Sequence, residues 1–345
     1  MLPNLYGMSR VELAEILSAR GAPRFHADQI VRWLYARRRL DPASWTDLPK
    51  ALRGELSHAA RVDAPSIGRS LRASDGTVKH EIRLPGGGSV ESVFMVQRDR
   101  VTLCVSSQVG CALDCTFCLT ARMGLVRHLS PGEIVGQVAA IQETGEIGDR
   151  AFNVVFMGMG EPLHNYDGAI GAFRLLVDPD GFGLSRRRVT ISTSGLAPAI
   201  ERLAGETLRP RLAVSLNATT DEVRDRIMPI NRRYPLARLL EACRLFARTT
   251  GERHTFEYVL LDGVNDTDAD VARLTKLLRA HPAKLNLIPF NEVPGLLPYR
   301  SPARARVLAI RDRLLAEGLP VSIRWSRGAE ARAACGQLAL LEEVS

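Results

Sequence analysis

The spacing of hydrophobic residues divides the chain into three parts, and the first has the period of a helix. Over residues 1–60, apolar side chains recur every three or four positions, which predicts short amphipathic helices. Ser9 and Glu12 form a capping box ahead of the first helix. A third helix is predicted to begin at Thr46 or Asp47. We expect these helices to form a small accessory domain.

Between residues 61 and 99 the period changes to two, which is typical of β-strands. Apolar residues alternate over 78–84 and over 90–96, and a Pro-Gly-Gly-Gly turn separates the two runs. We therefore predict a short β-hairpin extension. Glu91 lies on the second of these strands, on the face opposite Phe94. A carboxylate in such a position is normally solvated.

From residue 100 onward, short apolar strands alternate with helical segments. This alternation predicts βαβ units, a parallel sheet and an α/β fold. Polar, glycine-rich motifs follow the strand ends, as the active-site loops of a TIM-type barrel do. Six βα units precede the last strand, so we predict a partial, open barrel over residues 100–330, followed by a C-terminal segment over 331–345. The candidate strands are 100–106, 151–157, 188–193, 211–217, 253–261, 284–290 and 320–325.

Three cysteines stand together just after the first barrel strand, with the spacing C-x3-C-x2-C. Cys111, Cys115 and Cys118 would occupy three corners of a cubane iron–sulfur cluster and leave one iron open. An open iron can bind the amino and carboxylate groups of S-adenosyl-L-methionine (SAM) and pass it one electron. The alternative is a structural zinc site with Cys104 or His128 as the fourth ligand, although zinc sites favour paired cysteines at two separate places.

The segment Gly158-Met159-Gly160-Glu161-Pro162 follows the second barrel strand. It resembles a weak phosphate loop, but it does not continue into a glycine-rich helix start. Because a cysteine cluster lies one strand earlier, we expect the segment to bind the amino group of SAM instead. The carboxylate of Glu161 can accept hydrogen bonds from an ammonium group.

Two more cysteines deserve separate consideration, Cys104 on the first barrel strand and Cys335 in a glycine-flanked C-terminal segment. A cysteine outside a motif is usually a small buried apolar residue. Cys243, on the apolar face of a helix, fits that description. Cys335 does not, because its neighbours are small and polar. We predict that Cys104 and Cys335 form a redox pair near the cluster.

Charge and composition indicate an anionic partner. The 345 residues carry a net charge of +8, with an isoelectric point near 9.5. Excess positive charge is typical of nucleic-acid binders, although the arginine clusters at 37–39, 186–188 and 232–233 can also be solvated surface. The chain has no apolar run long enough for a membrane span and no signal-peptide profile. Its cysteine pattern is not that of a secreted disulfide framework, so we expect a cytoplasmic protein.

Three long motifs make the chain resemble a known family. Residues 106–113 (SSQVGCAL), 156–163 (FMGMGEPL) and 333–338 (AACGQL) closely resemble motifs of the radical SAM rRNA adenine-C2 methyltransferases. The similarity runs essentially from end to end. It implies activity on 23S rRNA and, as in many bacteria, on tRNA. Asn217 departs from the family pattern, since many members have His after Ser-Leu.

The resemblance implies a partial barrel of the radical SAM type, one 4Fe-4S cluster on three cysteine ligands, and two SAM molecules per turnover. One SAM would methylate Cys335, and a radical derived from the second would activate that methyl group, because C2 of adenine has no lone pair for direct methylation. Cys104 would then attack the sulfur of Cys335 to release the product, and Glu91 would accept the C2 proton. The residues implied to hold SAM are Gly160, Glu161, Ser192, Ser215, Leu216, Asn217 and Asn291.

The expected partners are 23S rRNA, tRNA, and an electron donor such as flavodoxin or ferredoxin, and we expect a monomer. Three other interpretations stay open at this point. The chain could be the related enzyme that methylates C8 of the same adenine and confers antibiotic resistance, or a radical SAM enzyme that acts on a protein or small molecule. It could also be an iron–sulfur or zinc protein without enzymatic activity, although the Cys-Gly-Gln-Leu segment argues against the last two.

Overall fold

The fold is taken from a computed structural model that describes residues 2–281, 283–328 and 330–339. Its N-terminal part is helical, as predicted. The helices are α1 (Arg10–Ser18), α2 (His26–Val31), which continues into a π-helical turn (Arg32–Ala36), and α3 (Lys50–Ala59), with a short 3-10 turn at Pro42–Ser44.

The predicted capping box is confirmed, because the backbone nitrogen of Glu12 donates to the hydroxyl of Ser9 and the nitrogen of Ser9 donates to the Glu12 carboxylate. The prediction for the third helix was wrong by a few residues. Helix α3 starts at Lys50, and the side chain of Asp47 instead accepts a hydrogen bond from the buried indole of Trp33. That contact leaves Asp47 unable to cap a helix.

The rest of the chain builds one large sheet with helices around it. The strands are β1 (Ser66–Arg72), β2 (Val78–Arg83), β3 (Ser89–Gln97), β4 (Arg100–Cys104), β5 (Gln108–Gly110), β6 (Leu125–His128), β7 (Phe152–Phe156), β8 (Val189–Thr193), β9 (Arg211–Ser215), β10 (His254–Leu260), β11 (Ala283–Pro289) and β12 (Val321–Ile323). The helices are α4 (Leu119–Arg122), α5 (Pro131–Glu143), α6 (Tyr166–Val177), α7 (Ala197–Ala204), α8 (Asp221–Ile227), α9 (Leu236–Thr250), α10 (Asp268–Arg279) and α11 (Arg304–Ala316). Short 3-10 turns lie at Arg186–Arg188 and Pro229–Arg232.

The strand order of the large sheet is β1-β2-β3-β4-β7-β8-β9-β10-β11-β12. The seven strands from β4 to β12 are parallel, and each coincides with a predicted strand. Within the described residues β12 pairs only with β11, so the barrel is open, as predicted. Strands β1 to β3 extend the sheet beyond β4 in antiparallel fashion. The first of these strands has a register shift between Ile67 and Ser70, which breaks its alternating pattern.

The N-terminal helices pack on the outside of the barrel, at the ends of α5 and α6. Gly7 adopts a φ of +100°, and a Cβ at this position would lie only 2.4 Å from the backbone nitrogen of Gly132 at the start of α5. The guanidinium of Arg10 forms an ion pair of 2.6 Å with Asp178, just beyond α6. The main hydrophobic core runs without a break from Leu5 into the barrel, so the N-terminal helices and the barrel share one core.

The C-terminal segment crosses the open side of the barrel. After β12 the chain reaches the β1–β2 turn, where the nitrogen of Gly328 donates to Asp75 and the hydroxyl of Ser74 donates to Glu330. It then returns to the cysteine loop, where the nitrogen of Leu119 donates to the carbonyl of Gly336. This path places Cys335 inside the barrel mouth.

A second, separate hydrophobic cluster surrounds the cysteine loop. Its buried members come from α4, α8, the ends of β10 and β11, and the C-terminal segment, and Cys115 and Phe117 pack against it. They are Leu119, Ala218, Ile227, Met228, Leu261, Phe290, Val293, Leu297 and Ala339. In the part of the chain that the structure describes, no helix is long and apolar enough to span a membrane.

Candidate active site

The three clustered cysteines face one cavity at the carboxyl end of the barrel strands. Cys111, Cys115 and Cys118 all line it. Burial raises the pKa of Cys111 to about 12 and raises the pKa of Cys115 and of Cys118 as well. After burial, the largest effect on Cys115 is repulsion from the other two thiolates. Three thiolates that repel one another in an apolar setting require a bound cation to become ionised together.

This set of three thiolates fits an iron–sulfur cluster, because such clusters are held mainly by cysteine thiolates. Cys104 and His128, which were considered as a fourth zinc ligand, lie outside the lining of this cavity. Within residues 2–281, 283–328 and 330–339, no three His, Cys, Asp or Glu side chains converge closely enough to hold a single metal ion. The three thiols instead share the lining of one cavity.

The residues expected to hold SAM belong to the same cavity, at the ends of β7, β8, β9 and β11. Leu216 is the exception: its side chain is fully buried in the main core and does not line the cavity. Only its backbone can therefore contribute to binding. The members that line the cavity are Gly160, Glu161, Ser192, Ser215, Asn217 and Asn291.

Glu161 is locked in place by its own hydrogen bonds. One carboxylate oxygen accepts from the nitrogen of Ser194 (2.7 Å) and from its hydroxyl (2.8 Å), and the other accepts from the nitrogen of Leu163 (3.0 Å). Burial raises the pKa of Glu161, against these hydrogen bonds. Gly160 has a φ of +95°, and a Cβ there would lie 2.5 Å from the Cβ of Gln108. The Gly160-Glu161 motif therefore connects the end of β7 to the end of β8 and holds the Glu161 carboxylate in one orientation.

Asn217 occupies a position with special backbone geometry. Its φ is +54°, in the left-handed region, which Asn tolerates better than most residues. Its side-chain oxygen accepts from the nitrogen of Val259 (2.8 Å), and its carbonyl accepts from the amide of Asn265 (2.7 Å). The Asn217 side chain thus braces β9 against β10, although it also lines the cavity.

Cys335 lies where two cavities meet. It lines the cysteine-containing cavity and also a larger open cleft of about 1370 Å³ that runs along the inside of the barrel. The amide of Asn291 donates to the carbonyl of Cys335 (2.9 Å), which ties this segment to the end of β11. Arg324 and Met157 also line both cavities. Cys335 is therefore the one cysteine with access to both.

The open cleft is strongly basic. Eight arginines line it against two aspartates, Asp75 and Asp99. Several of the arginines stand at the amino ends of the parallel strands, so the positive charge concentrates at the end of the barrel away from the cysteine loop. Of the arginine clusters noted in the sequence, only the one at 186–188 contributes. The eight are Arg98, Arg100, Arg150, Arg187, Arg188, Arg211, Arg324 and Arg327.

Cys104 lines the same cleft from strand β4 and is nearly fully buried. Burial raises the pKa of Cys104 to about 12, with a further contribution from the nearby Cys335 thiolate. All six cysteines are free thiols. Cys243 is fully buried in the main core, which confirms its assignment as a small apolar residue.

Glu91 is buried, contrary to the expectation of a solvated strand carboxylate. Its carboxylate forms an ion pair of 2.7 Å with Lys79 on the neighbouring strand β2. Burial raises the pKa of Glu91, and Lys79 and the backbone of Ala339 oppose that rise. Glu91 lines neither cavity. The residue is close to the site without direct access to it.

Three charged residues at the site were missed from the sequence: Arg224, Glu257 and Arg324. Glu257 and Arg324 face the cavity from β10 and from the end of β12. Arg224 is fully buried behind the cavity. A signal did exist for Arg224, because it precedes the apolar Ile227 by one helical turn and so lies on the inward face of α8.

Fold and site together define a radical SAM methyltransferase, and comparison with known proteins agrees. Residues 105–275 match the Radical SAM superfamily, and residues 3–62 match the ribosomal RNA large subunit methyltransferase N-terminal domain. A radical SAM methyltransferase structure from Sphaerobacter thermophilus superimposes with a TM-score of 0.90 at 44% identity, covering 97% of this chain and 99% of that one.

Curated relatives narrow the class further. A dual-specificity RNA methyltransferase RlmN from Anaeromyxobacter dehalogenans is 50% identical over 98% of this chain and 92% of its own length. Another from Geobacter sulfurreducens is 50% identical over 97% of this chain and 91% of its own length. The chain belongs to the RlmN family of dual-specificity RNA methyltransferases. Its place in the radical SAM superfamily implies an iron–sulfur cluster and SAM as cofactors.

Proposed function

We propose that the protein transfers a methyl group from SAM to C2 of an adenine in 23S rRNA and in tRNA, with Cys335 as the intermediate carrier. The observation that carries this proposal is the position of Cys335 between a cavity suited to cluster and SAM and a basic cleft suited to RNA. Arginine side chains are well matched to phosphate groups. A carrier at this junction can collect a methyl group on one side and deliver it on the other.

The proposed cofactors are one 4Fe-4S cluster on Cys111, Cys115 and Cys118, and two SAM molecules per turnover. When bound, they supply a methyl donor and a one-electron route to a hydrogen-abstracting radical. The protein supplies orientation: the ends of β7, β8, β9 and β11 hold SAM, and the apolar cluster around the cysteine loop excludes water.

The proposed roles of the chain's own residues follow the order of bonds made. The thiol of Cys335 loses its proton to solvent, and the resulting thiolate takes the methyl group from the SAM sulfonium, which leaves as S-adenosylhomocysteine. After the methyl carbon has become bonded to adenine C2, Glu91 accepts the C2 proton. The Cys104 thiolate then attacks the sulfur of Cys335 and breaks its bond to the transferred carbon, which takes up a proton to become the methyl group of the released RNA. A disulfide remains, and the one electron left over leaves by the one-electron route that supplied it. For Glu91 to act, its carboxylate has to become accessible from the barrel interior, which it does not line.

We assign residues 1–60 as a helical RNA-binding domain, 61–99 as a β extension, 100–330 as the radical SAM barrel and 331–345 as the carrier segment, of which 340–345 lie outside the described residues. A protein such as flavodoxin or ferredoxin would deliver the electron. The disulfide formed in each cycle has to be reduced, which suits a cytoplasmic thiol pool. We propose that the protein acts there as a monomer.

The test uses two single variants and a matched control. Cys335→Ala removes the methyl carrier and should give neither product nor covalent RNA adduct. Cys104→Ala should trap the RNA on Cys335 through a thioether, seen as RNA that comigrates with denatured protein and resists dithiothreitol. Cys243→Ala, at a cysteine outside both cavities, should retain turnover. Normal turnover by Cys104→Ala, or release of its RNA by reductant, would remove Cys104 from the reaction.

Regiochemistry needs its own measurement, because the C8-specific relatives share the cysteine machinery. Nucleoside mass spectrometry of RNA treated with the wild-type protein should find 2-methyladenosine. Finding 8-methyladenosine instead would replace the proposed activity with the C8 reaction.

A further inference from the structure

Arg224 on α8 is among the most deeply buried large side chains in the protein, with no exposed surface. Its guanidinium donates to three backbone carbonyls, of Ser194 (2.6 Å), Leu216 (3.0 Å) and Ser215 (3.1 Å), and to the side-chain oxygen of Asn231 (3.0 Å). The carbonyls belong to the ends of β8 and β9. One side chain therefore fixes the two strand ends that face the SAM cavity.

In the described part of the chain, no carboxylate oxygen lies within 4.0 Å of the guanidinium nitrogens of Arg224. Its positive charge therefore has no direct ion-pair partner. The nearest acids, Asp221 and Asp225, are held by the amide of Asn231 (2.9 and 2.6 Å) instead. Burying a guanidinium without an ion partner is costly. Burial lowers the pKa of Arg224 to about 10, and the Cys115 thiolate is the largest opposing influence. The group remains charged at neutral pH.

The cysteine loop is attached to the same helix. The backbone nitrogen of Thr116, the residue after Cys115, donates to the carbonyl of Ile227 at the end of α8 (3.0 Å). Cys115 is thus held beside the turn of α8 that carries Arg224. A cluster held by three thiolates brings negative charge into this buried region, and a fixed positive charge behind one ligand balances part of it.

We propose that Arg224 is a positioning residue with two separable roles: its fork of hydrogen bonds fixes the SAM-binding strand ends, and its charge raises the reduction potential of the cluster. The inference rests on the proposed iron–sulfur site. Reduction adds a negative charge to the cluster, so a nearby cation favours the reduced form. Because Arg224 lines neither cavity, it acts through its neighbours rather than on substrate.

Two substitutions separate these roles. Arg224→Lys keeps a cationic group but cannot reach all of the carbonyls, whereas Arg224→Met removes the charge and the hydrogen bonds together. Because burial lowers the pKa of a lysine at this site as it lowers that of Arg224, the potentials are compared at about pH 6, where the ammonium form is favoured. Arg226→Met, at an exposed arginine on the same helix, is the matched control. Each reconstituted protein is measured without RNA for iron content, SAM affinity by calorimetry, and midpoint potential by a redox titration followed by electron paramagnetic resonance.

We expect the Arg224→Lys protein to keep a potential close to wild type but to bind SAM about tenfold more weakly, since at least one hydrogen bond to a buried carbonyl is lost. Arg224→Met should bind SAM as weakly and should also shift the potential to more negative values. Arg226→Met should match wild type in both. If Arg224→Met does not retain a cluster, Arg224→Gln, which removes the charge but can keep part of the hydrogen bonding, provides the neutral comparison.

Unchanged SAM affinity in Arg224→Lys would overturn the first role, and an unchanged potential in the neutral variant would overturn the second. SAM affinity and midpoint potential are both measured without RNA, so neither depends on RNA methylation. A failure of the proposed methyl transfer to C2 would therefore leave these measurements interpretable, whereas a chain that binds no iron at all would overturn the cluster on which the inference rests.

Discussion

The basic cleft allows a quantitative prediction about RNA binding. Arg187, Arg188 and Arg211 line its amino-terminal end, and none of the three forms an ion pair within the described residues. Their joint replacement by Gln should therefore cost little stability, because surface substitutions away from such contacts are usually small. If each arginine contacts one phosphate, its loss lowers the slope of log affinity against log salt by about 0.7 to 0.9.

For the triple variant the slope should fall by about 2 to 3. Over a fourfold change in salt, from about 50 to about 200 mM, the wild-type affinity should then drop about twentyfold to fortyfold more than that of the variant. Fluorescence anisotropy with a labelled 23S rRNA stem–loop, repeated across a KCl series, measures both slopes. The control replaces Arg226, Arg248 and Arg253, which are exposed and lie outside the cleft. Equal slopes for cleft variant and wild type, or an equal fall in the control, would refute the cleft as the RNA site.

Three further predictions follow from the site and its surroundings. Replacing any one clustered cysteine by Ala should abolish iron binding and SAM cleavage, measured as iron content and as 5′-deoxyadenosine. Glu257→Gln should raise the melting temperature of the apoprotein at pH 8 but not near pH 4, because burial raises the pKa of Glu257. The resulting loss of stability begins above the ordinary carboxyl pKa of the unfolded chain and is complete above the raised one. Replacing the exposed cluster Arg37–Arg39 by Gln should weaken RNA binding in the anisotropy assay but leave SAM cleavage unchanged.

Each of these predictions has a contrary outcome. Full activity of the wild type with zinc and no iron would remove the radical interpretation. An equal effect of Glu257→Gln at both pH values would mean that packing, not ionisation, sets the difference in stability. Unchanged RNA affinity after substitution at 37–39 would show that the helical module is not an RNA-binding surface.

Much of the fold could be predicted because its signals are local. The barrel strands are short apolar runs, and Ser130 caps α5 at Pro131 with its capping-box partner Glu133, as the sequence pattern requires. The cysteine spacing and the Gly160-Glu161 motif likewise lie within a few residues of each other. Such features depend on residues close together in the chain, so they can be recognised without knowledge of tertiary contacts.

The misses depend on contacts between distant residues. Glu91 is buried because Lys79 on the adjacent strand compensates its charge, and alternation alone cannot report a partner. The basic cleft could not be predicted, because only adjacent arginines form a visible cluster in a sequence. Arg100, Arg150 and Arg211 are far apart in the chain and come together only where parallel strands begin. The motif places Leu216 at SAM but cannot report that its side chain packs into the main core, which leaves only its backbone to contact a ligand.

The apolar cluster around the cysteine loop is separate from the main core, and this has a consequence for maturation. Contacts that form a distinct cooperative unit can open at a lower free energy than the whole protein needs to unfold. We expect the cysteine loop and α4 to open while the barrel, α8 and the N-terminal helices stay folded, because Arg224 holds α8 to the ends of β8 and β9. We expect that a cluster can then be inserted into a nearly native chain. Damage to that cluster by oxygen leaves behind a folded scaffold that can be repaired instead of degraded.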